Sequence, residues 1–207
     1  IQFVVRDSSV LRVNLVTTQV FRDPSAWMHV VAVWDGNNGV DGDRARLYLN
    51  GSRITAFSTA TYPGTTGYSS LWNTGSVVHR IGALRSDAMN YKDGYLSEVN
   101  FIDGQALDAT YFGQTNSDGI WVTKAYSGSY GTNGFYLDFS DNSAATATAI
   151  GADSSGNGNN FTPSGISVTA GVTNDSLVDV PTNYGDDTGV GGEVRGNYCT
   201  WNPLWKN

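Results

Sequence analysis

Residues 27–51 constrain the fold more than any other stretch: W-M-H-V-V-A-V-W, a loop rich in Gly, Asn and Asp, then R-A-R-L-Y-L-N-G. His29, Val31 and Val33 alternate with Val30, Ala32 and Trp34, so both faces of this run are largely apolar, as in a strand lying inside a sheet. In the next run Ala45, Leu47 and Leu49 alternate with Arg44, Arg46 and Tyr48, giving one buried and one wetted face. Asn50-Gly51 supplies two residues that tolerate positive φ, which a tight type I′ hairpin turn needs. An antiparallel sheet follows from this segment alone.

The remainder of the chain agrees. Its 207 residues include 25 Gly, 6 Trp and 11 Tyr, with only 15% charged residues, a balance suited to many turns and strands and not to a helical bundle. The formal net charge of -7 argues against a nucleic-acid partner, since phosphate binding needs clustered Lys and Arg. It argues equally against an anionic membrane surface, and no apolar run is long enough for membrane insertion. Cys199 is the single cysteine, so no intrachain disulfide can form. The sequence opens on I-Q-F-V-V as if within a strand, and is expected to be a piece of a longer chain.

Taken in order, I-Q-F-V-V-R and V-L-R-V-N-L-V read as two strands joined at Asp7-Ser8-Ser9, and Asp23-Pro24-Ser25 breaks the chain before Trp27. Ser52 to Phe57 reads as a short strand, and residues 58–76 as a long Ser/Thr/Gly/Tyr loop of the kind that carries function. Val77 to Gly82 reads as another strand. In residues 93–102 Leu96 and Val99 fall out of alternation, which predicts a bulge or bend near Ser97. Asp108 is placed to cap one helical turn ending at Gly113. Strands are expected at Ile120–Val122 and Gly134–Ser140, and D-S-S-G-N-G-N-N at 153–160 is a dense turn cluster. Trp27 and Trp34 are expected in the core, while Trp201, Pro203, Leu204 and Trp205 are expected to dock on a neighbouring domain or chain.

W-x-H-V-V-A-V-W (27–34), R-L-Y-L-N-G (46–51), H-R-I-G (79–82) and D-G-Y-L-S-E-V-N-F-I-D-G-Q-A-L (93–107) together resemble the concanavalin A-like jelly roll of the laminin G and pentraxin type. F-I-D-G-Q-A-L (101–107), K-A-Y-S-G-S-Y-G-T-N-G-F-Y-L-D-F-S-D-N-S (124–143), D-S-S-G-N-G-N-N (153–160) and N-D-S-L-V-D-V-P-T-N-Y-G (174–185) are similar to a narrower group, the tail fibre proteins of marine and cyanobacterial bacteriophages. One departure stands out: the jelly roll normally has several strands before its W-x-H-V strand, and only 26 residues precede it here. Either those strands are missing, or the strand at 135–140 takes the place of one of them, or that strand with D-S-S-G-N-G-N begins an incomplete repeat.

Three kinds of site fit such a frame: catalytic, metal-binding and carbohydrate-binding. Glucanases of the same fold use E-x-D-x-x-E on one strand, with two carboxylates about 5–5.5 Å apart. That triplet is absent, and Asp93 and Glu98 lie on opposite faces of a regular strand, so no catalytic residue is assigned and the chain is expected not to be an enzyme. His29 and His79 are separate, without a nucleophile elbow or a cysteine partner, and are expected to be packed or hydrogen-bonded sheet residues. The loop D-G-N-N-G-V-D-G-D offers Asp35, Asn37, Asp41 and Asp43 as hard oxygen donors for Ca²⁺, and related modules often hold calcium at the rim of the sandwich. Its twelfth position is Arg46 and not the Glu of an EF-hand, and hairpin loops favour Asp, Asn and Gly for conformational reasons alone. Asp138, Asp141 and Asp153 form a second candidate set that Asx-turns explain equally well. For carbohydrate or receptor binding, Tyr62, Tyr68, Trp72 and Asn73 in the long loop and Asn90 and Tyr91 in the next combine aromatic faces with amide hydrogen-bonders. Trp72 packed beneath its own loop is the competing reading.

The expected architecture is therefore an all-β, two-sheet antiparallel jelly-roll sandwich with an extended C-terminal strap. Residues 1–112 form the core, 113–165 a connector with strands that could complete it, and 166–207 a linker toward a further domain. The resemblance implies a virion tail fibre, extracellular, homotrimeric, and associated with other tail proteins. Its expected role is non-catalytic: a structural and receptor-binding module contacting host cell-surface carbohydrate. A tailspike-type hydrolase and an architectural spacer are the alternatives.

Overall fold

A computed structural model describes residues 1–7, 10–23, 26–68, 72, 78–83, 91–170 and 173–176. The chain is all-β, with strands β1 (Gln2–Asp7), β2 (Val10–Thr17), β3 (Val30–Trp34), β4 (Ala45–Leu49), β5 (Ser52–Arg53), β6 (Phe57–Thr61), β7 (Val99–Phe101), β8 (Gly113–Thr115), β9 (Trp121–Thr123) and β10 (Phe135–Leu137). Every strand pair is antiparallel. Two compact units form: Ile1–Tyr95 with Ile102–Asn133, and Leu96–Phe101 with the described residues from Gly134 onward.

In the first unit β1-β2-β6 and β3-β4-β5 are three-stranded sheets, and β8-β9 is a separate hairpin. Phe3 and Val5 of β1, and Val13 and Leu15 of β2, project to one face because side chains alternate along a strand. They meet Ala45 and Leu47 of β4 in a single buried cluster. Trp34, Ile54, Phe57 and Tyr62 close the margins of that cluster. Two sheets thus share one apolar core, the arrangement of a small β-sandwich.

The Asn50-Gly51 turn joins β4 to β5 with φ of 45° and 81°, the two positive values that a type I′ turn requires. The predicted strand at 52–57 is in fact two. Ser52–Arg53 finishes the β4 sheet, Ile54 packs inward, and the chain then enters β6 beside β2. Phe57–Thr61 is an edge strand whose outward residues are Ser, Thr and Ala, so hydropathy made it look like the start of a loop.

Three further expectations are corrected. β3 does not lie inside its sheet: among the described residues β4 is its one strand neighbour, and Val30 and Ala32 are exposed while Val33 is buried. Trp27 is exposed and outside the core, whereas Trp34 packs against it as expected. Residues 78–82 form no strand; the regular pairing there is an isolated bridge between Ala83 and Tyr91.

The second unit is built on β10 paired with β7, Phe135 opposite Phe101 and Leu137 opposite Val99. Phe101 stacks on Phe135 at a centroid separation of 5.5 Å, and Phe161 packs on Phe135 at 4.7 Å with its ring tilted by 60°. The predicted irregularity near Ser97 falls one residue later, at Glu98, whose φ is 55°. The turn cluster 153–160 is organised by Asp153, which accepts hydrogen bonds from the amides of Tyr136, Ser155 and Asn159. Burial pushes that carboxyl upward, but the hydrogen bonds outweigh it and hold its pKa below the ordinary aspartate value.

Candidate functional site

The first unit brings together the two loops that carry most of the predicted site residues. Arg44 precedes β4 and is buried, an expensive position for a guanidinium unless its donors are satisfied. Its Nε donates to the carbonyl of Asn38 at 2.7 Å, and its Nη1 donates to the carbonyl of Pro63 at 2.6 Å and meets Asp41 Oδ1 at 2.6 Å. One cation therefore bonds both the Asp35–Asp43 loop and the segment after β6. A second tie lies nearby: the Gly67 amide donates to the carbonyl of Gly36 at 2.9 Å. The chain comes so close there that a Cβ on Gly36 would lie 2.4 Å from the carbonyl oxygen of Tyr68.

This junction positions the aromatic candidates. Tyr62 is half-buried and packs against the sandwich core. The Arg12 guanidinium lies over the ring of Tyr68 at 4.0 Å from its centroid, a cation–π arrangement. Trp72 packs on Phe3 at a centroid separation of 5.5 Å, yet 36% of its surface stays exposed. The contact is with β1 and not with its own loop, and the two rings are tilted by 43°. Tyr91 is exposed, beside its bridge to Ala83. Asn73 and Asn90 lie outside the described residues.

The acidic loop is laid out as ion pairs. Asp35 lies 3.5 Å from Arg46, Asp41 pairs with Arg44, and Asp43 contacts Arg53 at 2.5 Å. Asn38 Nδ2 donates to Asp35 at 3.1 Å, and Asn37 is exposed. Among the described residues no group of three His, Cys, Asp or Glu side chains is placed to hold a metal ion. Charge alternation in the sequence carried this signal, since Arg44, Arg46 and Arg53 follow Asp35, Asp41 and Asp43 closely; which arginine meets which carboxylate depends on the β4–β5 register. In the second set, Asp138 accepts from the amide and hydroxyl of Ser140, and Asp141 from the amide of Ser143, which are Asx-turns.

His29 is packed and hydrogen-bonded, as expected. Trp121 Nε1 donates to its Nδ1 at 3.1 Å and the rings stack, while burial lowers the histidine pKa. Glu98 accepts a 2.5 Å hydrogen bond from the Tyr136 hydroxyl in the second unit. The predicted cap is present, with Asp108 accepting from the Thr110 amide at the head of a 3-10 turn, Ala109–Tyr111. Arg46 and Arg53 were not singled out from the sequence, yet together with Tyr48, Asp108 and Tyr111 they line an open cleft of about 380 Å³. Comparison with family models, with curated proteins and with solved structures finds nothing that matches this chain.

Proposed function

We propose that this chain is a non-catalytic structural and receptor-binding module of the concanavalin A-like jelly-roll type, part of a bacteriophage tail fibre that contacts host cell-surface carbohydrate. The motif order in the sequence supports that family reading, and an all-β chain with two antiparallel sheets around one core is the kind of scaffold it needs. The observation that carries the receptor-binding reading is Trp72, part-exposed while braced on the buried Phe3. An indole braced by a neighbouring ring loses less side-chain entropy than a free one when it accepts the C–H face of a sugar. Tyr68, in a neighbouring segment of the same unit, is held by Arg12.

A glycan array probed with the whole chain tests this. Binding to a subset of surface glycans, lost in Trp72→Ala and reduced in Tyr68→Ala, is the expected result. Undiminished binding by both variants overturns the assignment of these residues, and no binding to any glycan favours an architectural spacer.

A further inference from the structure

An open cleft lies on the β4–β5 side of the first unit, and its lining includes none of Tyr62, Tyr68 and Trp72. Its size, about 380 Å³, is at the small end of ligand clefts and suits a compact molecule. Its walls offer Arg46, Tyr48 and Arg53 from the sheet, and Asp108 and Tyr111 from the 3-10 turn, with Asp43 between them. Arg46 reaches across this space, donating to the carbonyl of Asp43 at 2.6 Å and to that of Ala106 at 3.3 Å. The two walls are therefore tied together without a ligand.

The charges lining the cleft cancel. Arg46 and Arg53 share the lining with Asp43 and Asp108, Arg53 pairs with Asp43, and Asp35 lies 3.5 Å from Arg46. An anion gains nothing from such a lining, and a cation meets two arginines. Hydrogen-bonding capacity is nonetheless left over. Among the described residues Arg53 uses Nη2 for Gly42 and Asp43, leaving its Nε and Nη1 open, and Asp108 uses Oδ1 for Thr110, leaving Oδ2 open. Among the described residues the hydroxyls of Tyr48 and Tyr111 have no hydrogen-bond partner. Half of the Tyr111 surface is exposed, so its ring also offers an apolar face.

A neutral lining with donors and acceptors interspersed, beside an accessible aromatic face, matches one chemistry well. A sugar hydroxyl donates one hydrogen bond and accepts two, and a pyranose presents C–H groups to an aromatic ring. We propose that this cleft binds a small neutral saccharide, one or two rings in size, through Arg53, Asp108 and Tyr111. The site shares no lining residue with the surface assigned to Tyr68 and Trp72, and stands or falls separately from it.

The test is amide and arginine side-chain NMR of the whole chain titrated with methyl α-glucoside, methyl α-mannoside, methyl β-galactoside and maltose, with galacturonate and inorganic phosphate as charged comparators. At least one neutral glycoside is expected to shift the Arg53 Nε–H and the amides of Leu107 and Tyr111 saturably. Tyr111→Ala is expected to weaken that binding about tenfold and Tyr48→Phe to weaken it less. Both tyrosine variants are checked for unchanged amide dispersion elsewhere in the unit. Cleft shifts produced by the charged comparators and not by the glycosides, or no saturable shift with any glycoside, overturn the proposal.

Discussion

Arg44 donates through Nη1 to the carbonyl of Pro63 at 2.6 Å, and this bond joins the Asp35–Asp43 loop to the segment that leads toward Tyr68. The guanidinium is buried and saturates the carbonyls of Asn38 and Pro63 and the carboxylate of Asp41. Hydrogen bonds from a charged group contribute more than neutral ones, and removing the donor leaves two carbonyls short of a partner. Arg44→Met is expected to lower the unfolding free energy of the first unit by about 2–3 kcal/mol. Denaturant unfolding monitored through Trp34 and Trp72 fluorescence checks it. A loss no larger than that of an exposed arginine such as Arg6 contradicts the role of Arg44 as the tie.

Gly51 is required twice. Its φ of 81° is a left-handed value, and a Cβ there would lie 2.3 Å from the Trp121 ring. Gly113 faces the same ring from another side, its Cβ position 2.5 Å from Trp121, without the backbone requirement. Gly51→Ala is therefore expected to cost more than Gly113→Ala, with both in the range of about 1–3 kcal/mol because an indole must shift. Thermal melts of the two variants give the order. Equal or negligible losses would mean that Trp121 does not sit between these glycines.

His29 supplies a pH dependence of known sign. Its neutral Nδ1 accepts from Trp121 Nε1, and burial lowers its pKa below the ordinary value of 6.5. The folded chain thus resists a proton that the unfolded chain takes up, so this contribution is complete above pH 6.5 and is lost as pH falls through the depressed folded value. His29→Gln is expected to flatten that part of the stability profile below pH 6.5. A profile unchanged by the substitution contradicts the burial of His29 as the source of its lowered pKa.

Calcium is expected to leave stability nearly unchanged, because Asp35, Asp41 and Asp43 already face Arg46, Arg44 and Arg53. A cation would have to displace three guanidiniums to gather these carboxylates. About 1 mM Ca²⁺ should move the melting temperature by less than about 1 °C, since a ligand stabilises only when it exceeds its dissociation constant. A saturable rise of several degrees, abolished in Asp41→Asn, would establish a calcium site in the loop.

Local signals were legible in the sequence, and long-range ones were not. Asn50-Gly51 announced its turn because only two positive φ values close a two-residue I′ loop, and Asp108 announced its cap because its carboxylate lies two residues from the Thr110 amide. Phe3, Val5, Val13 and Leu15 were legible as a buried face through simple alternation. β3 misled because apolar residues on both faces usually signal an interior strand, whereas Val30 and Ala32 stay exposed at an edge. β8 was invisible: Gly-Gln-Thr has no period, and its strand exists because the Gly113–Thr115 backbone pairs with Trp121–Thr123. The arginine pairing of the acidic loop depends on register and on where Pro63 passes, which no local pattern contains.

The measurement closest to the receptor-binding reading is a tryptophan-fluorescence titration of the whole chain with the strongest glycan found on the array. The unaltered chain is expected to give a saturable change, and Trp72→Ala to lose it while keeping the same far-ultraviolet circular dichroism and melting temperature to within a few degrees. An undiminished response in Trp72→Ala would contradict the assignment of this residue to the binding surface.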